Sequence, residues 1–258
     1  MPVLRVLAAL GSIALVAYVV VKAARHVDFS QLEWWPLALA APPAIAWWVL
    51  LARGWALLIT GHANRKDIRQ WCRTQALRYL PGGIWAPVSR ATIVEGGLVD
   101  RVATVGAENI VALCCALAIG ALGLALGGRP AYAPGVLLVL LPVLAKRMLG
   151  ERISLPEDRV RRATVNGVAA FVLYALSAIA VQSAVSGWSH PLEVAGAAGI
   201  AWGAGLVVII APGGIGIREI VYVGLMGTVL PSGDAALAAV AMRLVMVAAE
   251  LGVLVAAR

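Results

Sequence analysis

The chain has 258 residues, 62% of them apolar and 13% charged, with a mean hydropathy of +0.90. No water-soluble fold needs that much apolar surface, so the composition identifies an integral membrane protein and leaves no room for a separate soluble catalytic domain. The net charge of +8, from 21 Lys+Arg against 13 Asp+Glu, is spread over short loops; this excludes a nucleic-acid-binding face and fits topology signals or attraction to anionic lipid.

A spanning helix needs about 20 mostly apolar residues. The first predicted span is Val3 to Val21, longer than the apolar core of a signal peptide and so read as a retained membrane helix. The second is Trp35 to Thr60. A polar stretch, Gly61 to Arg73, follows, with Arg65, Lys66, Arg69 and Arg73. A broken hairpin is expected over Gln75 to Glu95, with Pro81-Gly82-Gly83 at its tip, and then a third span over Val102 to Leu126.

The second half repeats this plan. A fourth span covers Tyr132 to Leu149, and a polar stretch runs on to Arg162. A fifth span covers Ala163 to Val185. A second broken hairpin occupies Leu192 to Val229, with Pro212-Gly213-Gly214 at its tip, and a sixth span covers Asp234 to Ala257. The fold class read from this pattern is an all-α polytopic membrane protein: one integral membrane domain over 1–258, two inverted repeats over 1–127 and 132–258, six transmembrane helices and two re-entrant or broken helical hairpins. An odd number of spans per half inverts the second half relative to the first. Gly61 to Arg73 and Lys146 to Arg162 hold four and six basic residues, whereas the opposite loops are poorer; this bias places both termini in the cytoplasm. Leu192 to Ala211 is also long enough to cross fully, and counting residues does not decide between the two.

The repeated string Pro-Gly-Gly-Ile is where chemistry is expected. Proline ends a helix, and two glycines allow positive φ and close backbone approach. Irregular backbone at membrane depth is tolerated only inside protein or against a wet cavity, and a half-helix N-terminus there faces an anion well. The alternative is an ordinary interfacial turn. Pro81, Gly82, Gly83, Pro212, Gly213, Gly214 and Gly216 are therefore the candidate break or hinge residues.

Arg78, Arg90, Arg218 and Arg243 are the candidate substrate-binding residues, because a guanidinium is a planar fork of donors suited to phosphate. Glu108, Glu219 and Glu250 are the candidate coupling or ion-pair residues; Arg243 and Glu250 lie two turns apart on one face of the last span. The competing readings are snorkelling for the arginines and plain structural pairing for the glutamates. Trp47, Trp48 and Trp55 around Arg53 read as an interfacial belt. Gly123/Gly127 and Gly199/Gly203 have the spacing of close helix packing. Cys72, Cys114 and Cys115 read as small apolar residues, and His26, His62 and His190 fall in loops. No spacing resembles a metal site, a nucleotide-binding loop or a nucleophile elbow, so neither metal, cofactor nor enzymatic activity is expected.

The string Arg78-Tyr79-Leu80-Pro81-Gly82-Gly83-Ile84-Trp85, followed by Arg90 and Glu108, resembles the first signature of the lysylphosphatidylglycerol synthase transmembrane-region family. Ala211-Pro212-Gly213-Gly214-Ile215-Gly216-Ile217-Arg218-Glu219, followed by Arg243, resembles its second. What the resemblance implies is a flippase-like lipid translocase of the cytoplasmic (plasma) membrane, working by alternating access on an anionic lipid: a polyprenyl-phosphate-linked sugar or a phospholipid. It carries over onto Arg78, Arg90, Glu108, Arg218, Glu219 and Arg243 as headgroup or coupling residues. The family often has Arg after the first of these glutamates, where this chain has Asn109. These residues include no aminoacyl-transferase domain, so a lysyl-lipid substrate is not expected. The expected partners are membrane lipids and, in the alternative reading of a non-transporting subunit, an envelope-biosynthesis glycosyltransferase.

Overall fold

The computed structural model describes residues 33–79, 84–208, 212–214 and 216–256, and everything said of the fold concerns these. The expected first span, Val3 to Val21, lies outside them, as does Pro81-Gly82-Gly83. Among the described residues there are nine α-helices and no strand. They are α1 (Trp34–Thr60), α2 (Arg65–Gln75), α3 (Trp85–Ala91), α4 (Leu98–Leu126), α5 (Leu141–Leu149), α6 (Glu157–Ser186), α7 (Pro191–Val207), α8 (Ile217–Met226) and α9 (Ser232–Ala256).

Five helical segments are long and apolar enough to cross a membrane: α1, α4, α6, α9 and the composite Pro130–Arg152. The protein is thus a helical, membrane-embedded one. Four of these coincide with expected spans to within a few residues, except that α6 starts earlier, at Glu157. That start takes Arg159 and Arg162 out of the expected loop and onto the first turns of a helix. There their guanidiniums donate to the carbonyls of Ile59 and Gly61, at the otherwise unsatisfied C-terminal end of α1.

The composite segment departs from expectation. Residues Pro130–Leu140 form a 3-10 helix, and only Leu141–Leu149 is α-helical. Pro130, Pro134 and Pro142 remove the N–H groups an α-helix would need there. The tighter winding climbs about 2 Å per residue, so these two pieces reach about 35 Å, enough to traverse a bilayer core. No residue of the 3-10 stretch is buried; it leans on α4 at the edge of the bundle.

The polar stretch after α1 also folds, as the amphipathic helix α2. Trp71, Cys72 and Gln75 turn inward, and Arg65, Lys66, Arg69 and Arg73 stay exposed. The centre of the molecule is the long contact of α1 on α6. Each of these helices also packs on the long helix of the other half, α1 on α9 and α6 on α4. The core between them is aromatic. Trp47, Trp48, Trp55 and Phe171 are all at most 1% exposed, so the expected interfacial belt is instead a buried cluster, with Trp47 against Trp48, Tyr174 and Trp202. Exposed indoles occur at another level, where Trp35 of α1 meets Trp188 just past α6.

Helix α7 is fixed to α4 by glycines. A Cβ on Gly123 would lie 2.6 Å from the Gly196 backbone nitrogen, and one on Gly120 would lie 2.8 Å from that of Ile200. Gly123 and Gly199, one from each expected pair, take part in this crossing, whereas Gly127 meets the Glu193 side chain and Gly203 that of Leu117. Two backbones in contact leave α7 little freedom to shift. From this anchored helix the chain folds back through Pro212–Gly214 into α8, which packs along α7.

Candidate functional site

The two interrupted regions meet. The 3-10 turn Ala76–Tyr79, just before the first break, packs on Pro212–Gly214 of the second. Gly213 and Gly214 have φ of 60° and 70°, and Gly216 has φ of 84°, positive values that residues with a Cβ rarely adopt. The second break is therefore a built turn, as its glycines predict. In the first region the tip of the expected hairpin lies outside the described residues, and its flanks are short helical pieces. Its entry limb is the end of α2 plus one 3-10 turn, and its exit limb is the seven-residue α3. Neither limb approaches the 17 residues of α7.

Arg78, Arg90, Glu108 and Arg218 line one cavity of about 490 Å3, together with Trp55, Trp71, Gln75, Trp202, Gly205, Gly213 and Gly214. Most of the remaining wall is aliphatic. Three of the four expected substrate-binding arginines thus converge from sequence positions up to 140 residues apart.

Their surroundings differ. Arg78 Nη2 donates to Glu250 Oε2 at 2.8 Å, and its guanidinium lies 4.6 Å from the Trp48 ring centroid. Arg90, 6% exposed, pairs with Glu108 Oε1 and donates through Nη2 to Gln75 Oε1 at 2.6 Å. Trp71 Nε1 donates to the same Glu108 oxygen at 2.6 Å, and the Arg90 guanidinium lies over the Trp71 ring at 5.2 Å. Both arginines of the first region are held by carboxylates and indoles.

Arg218 has no carboxylate within ion-pair distance among the described residues, and its Nε has no hydrogen-bond partner there. It lies 5.2 Å from the Trp202 ring centroid. Its side chain is threaded between two glycines. A Cβ on Gly205 would sit 2.5 Å from Arg218 Cγ, and one on Gly214 would sit 2.8 Å from Arg218 Nε. Gly205 is a site residue that the sequence reading missed; only its position seven residues before the second break pointed to it.

The remaining candidates support this arrangement from outside the cavity lining. Arg243 Nη2 donates to the Gly213 carbonyl at 3.0 Å and so holds the second break in place. Glu219 Oε2 accepts from the Gly216 backbone N–H at 2.7 Å, closing the first turn of α8. Glu250 reaches Arg78 from α9, one face of which therefore serves both breaks: Arg243 for the second and Glu250 for the first. Across the whole cluster, four guanidiniums face three carboxylates.

Among the described residues no group of His, Cys, Asp and Glu is placed to hold a metal ion. The three cysteines are free and buried, and His62 and His190 lie outside the helices, away from the cavity. No protein-family model matches the chain, nor does any curated protein or solved structure.

Proposed function

We propose that the protein is a lipid translocase of the flippase type, which carries the phosphate of an anionic lipid through the cavity between the two breaks. The observation that supports this best is Arg218: a cation lining the cavity, with no carboxylate within ion-pair distance among the described residues. A guanidinium in such a place is costly unless a counter-anion visits it, and a phosphodiester is the anion that both fits its donor fork and occurs throughout a membrane. The aliphatic wall beside it suits the first methylenes of the tails.

Helix α8 has ten residues and climbs about 15 Å, half the depth of a bilayer core, so α7 and α8 fit a hairpin that enters and returns on the same side. The reciprocal packing of α1 on α9 and α6 on α4 fits two inverted repeats, 1–127 and 132–258. Rocking of one repeat on the other about the α1–α6 contact would open the cavity to either leaflet in turn. The resemblance of both strings to the lysylphosphatidylglycerol synthase transmembrane-region family leads to the same reading, and the basic residues of Gly61–Arg73 and Lys146–Arg162 support cytoplasmic termini in a plasma-membrane protein.

Reconstitution into liposomes with a labelled anionic phospholipid tests the proposal. The wild-type protein moves the label between leaflets, and the Arg78→Ala, Arg218→Ala double variant does not. Undiminished movement by a correctly inserted double variant overturns it.

A further inference from the structure

The cavity lies toward one end of the bundle. On α6 its lining ends at Gly167, and that helix runs on to Ser186, about 28 Å farther. A phosphate at Arg218 therefore still has a packed region to cross. A ring of four helices encloses that region: α6 packs on α7, α7 on α8, α8 on α9 and α9 on α6. Across the ring, α8 and α6 are joined by a chain of polar side chains. Tyr222 Oη donates to Gln182 Oε1 at 2.8 Å, and Gln182 Nε2 donates to Ser186 Oγ at 2.8 Å. Gln182 is 1% and Tyr222 7% exposed, and Ser186 is half-buried at the end of α6. Tyr222 follows Arg218 by one turn of α8, so the two are neighbours on one side of that helix. The polar chain thus starts beside the cavity arginine and ends at the far end of α6.

Holding the bundle together does not call for such a chain. Small residues pack membrane helices well, as Gly120, Gly123 and Gly196 do where α4 crosses α7, and hydrogen bonds between such helices add little stability. We propose that Tyr222, Gln182 and Ser186 continue the translocation path beyond the cavity, as a closed polar seam that leads the phosphate from Arg218 toward the leaflet opposite the basic loops. This inference rests on the translocase reading and adds residues to it. In the conformation described here the seam is bonded to itself and so shut. A phosphate oxygen that enters accepts from Tyr222 Oη and Gln182 Nε2, in place of Gln182 Oε1 and Ser186 Oγ. The seam then opens by exchanging hydrogen bonds, without leaving its donors bare. All three side chains are neutral. Arg218 holds the anion by charge, and the neutral donors beyond it hold it weakly enough to let it leave, which passage requires.

Three variants separate a path from a merely structural bond: Tyr222→Phe, Gln182→Leu and the two combined. Each is assayed twice, for movement of a labelled anionic phospholipid in liposomes and for binding of dihexanoyl phosphatidylglycerol to the purified full chain in detergent. Each single variant is expected to move lipid about tenfold more slowly, and the double variant at least as slowly as the slower single one. Binding is expected to change less than about twofold in all three, because Arg218 is untouched. A structural bond predicts the opposite order. Each single change strands the other partner, whereas the double change removes both and relieves the strain, so that movement recovers. Recovery of movement in the double variant, or movement at the wild-type rate in all three, overturns the path and leaves the translocase reading standing. A loss of binding that parallels the loss of movement likewise overturns it, because the residues then act at the cavity or on the fold as a whole. A wild-type protein that moves no lipid overturns the translocase reading and the path together.

Discussion

The two breaks carry the same four residues, Pro-Gly-Gly-Ile, yet the structure uses the charges around them in opposite ways. Around the first, Arg78 and Arg90 are tied to Glu250 and Glu108 and boxed by Trp48 and Trp71. Around the second, Arg243 holds a backbone carbonyl and Arg218 meets no carboxylate among the described residues. The first region is thus a neutralised wall and the second an unneutralised one. A buried ion pair contributes little net stability, but removing one partner strands the other; a cation with no carboxylate partner strands no carboxylate when it is removed. Charged residues in similar motifs are therefore not of similar use, and each has to be judged by what it faces.

The largest effect is expected from stranding a charge in the first region. Glu108→Ala leaves Arg90 buried without its carboxylate and is expected to cost about 3–5 kcal/mol, read as a lowered melting temperature in detergent. A loss under about 1 kcal/mol would break the comparison, because the pair would then not be structural. Next comes Arg243→Ala, which removes one charge-assisted bond to Gly213. It is expected to cost about 1.5–3 kcal/mol and to make the second break more open to proteolysis.

Gly205→Ala sharpens the comparison from the other side. The new Cβ lands on the Arg218 side chain, which must move. Stability is expected to fall by about 1 kcal/mol, while affinity for an anionic lipid falls about tenfold although every arginine is still present. The smallest effect belongs to an exposed pair. Arg147 and Glu157, with side chains 63% and 40% exposed, serve as the baseline, and Arg147→Ala is expected to change stability by no more than about 0.5 kcal/mol.

Much of this was legible in the sequence because hydropathy and helix length are local properties. The spans at Trp34–Thr60, Leu98–Leu126 and Ser232–Ala256 follow from apolar runs of the right size, and the turn at Gly213 follows from residues that admit positive φ. Arg78, Arg90, Arg218 and Glu108 were recognisable as charges too costly to leave in lipid. What the sequence withheld is relational. Nothing local pairs Arg78 with Glu250 across 172 residues, or brings Gly205 against Arg218. Trp47, Trp48 and Trp55 looked like a belt because tryptophan favours interfaces, but the α1–α6 contact buries all three. The polar run before the first break hid helix α2, since seven of its eleven residues are charged or amide-bearing and only Trp71, with its neighbours, marks the inward face. The apolar run Tyr132–Leu149 read as one plain span, because hydropathy does not register the three prolines at 130, 134 and 142 that accompany its 3-10 winding.

The central claim is that Arg218 is a ligand-binding cation and not a structural one. The direct measurement is the melting temperature of wild type and Arg218→Ala, each with and without saturating dihexanoyl phosphatidylglycerol. A ligand held by the native state at about 100 times its dissociation constant adds about 2.7 kcal/mol of stability. The account predicts that the two proteins melt alike without lipid and that only the wild type gains from it. An Arg218→Ala protein that gains as much as the wild type, or that already melts far lower without lipid, would contradict it.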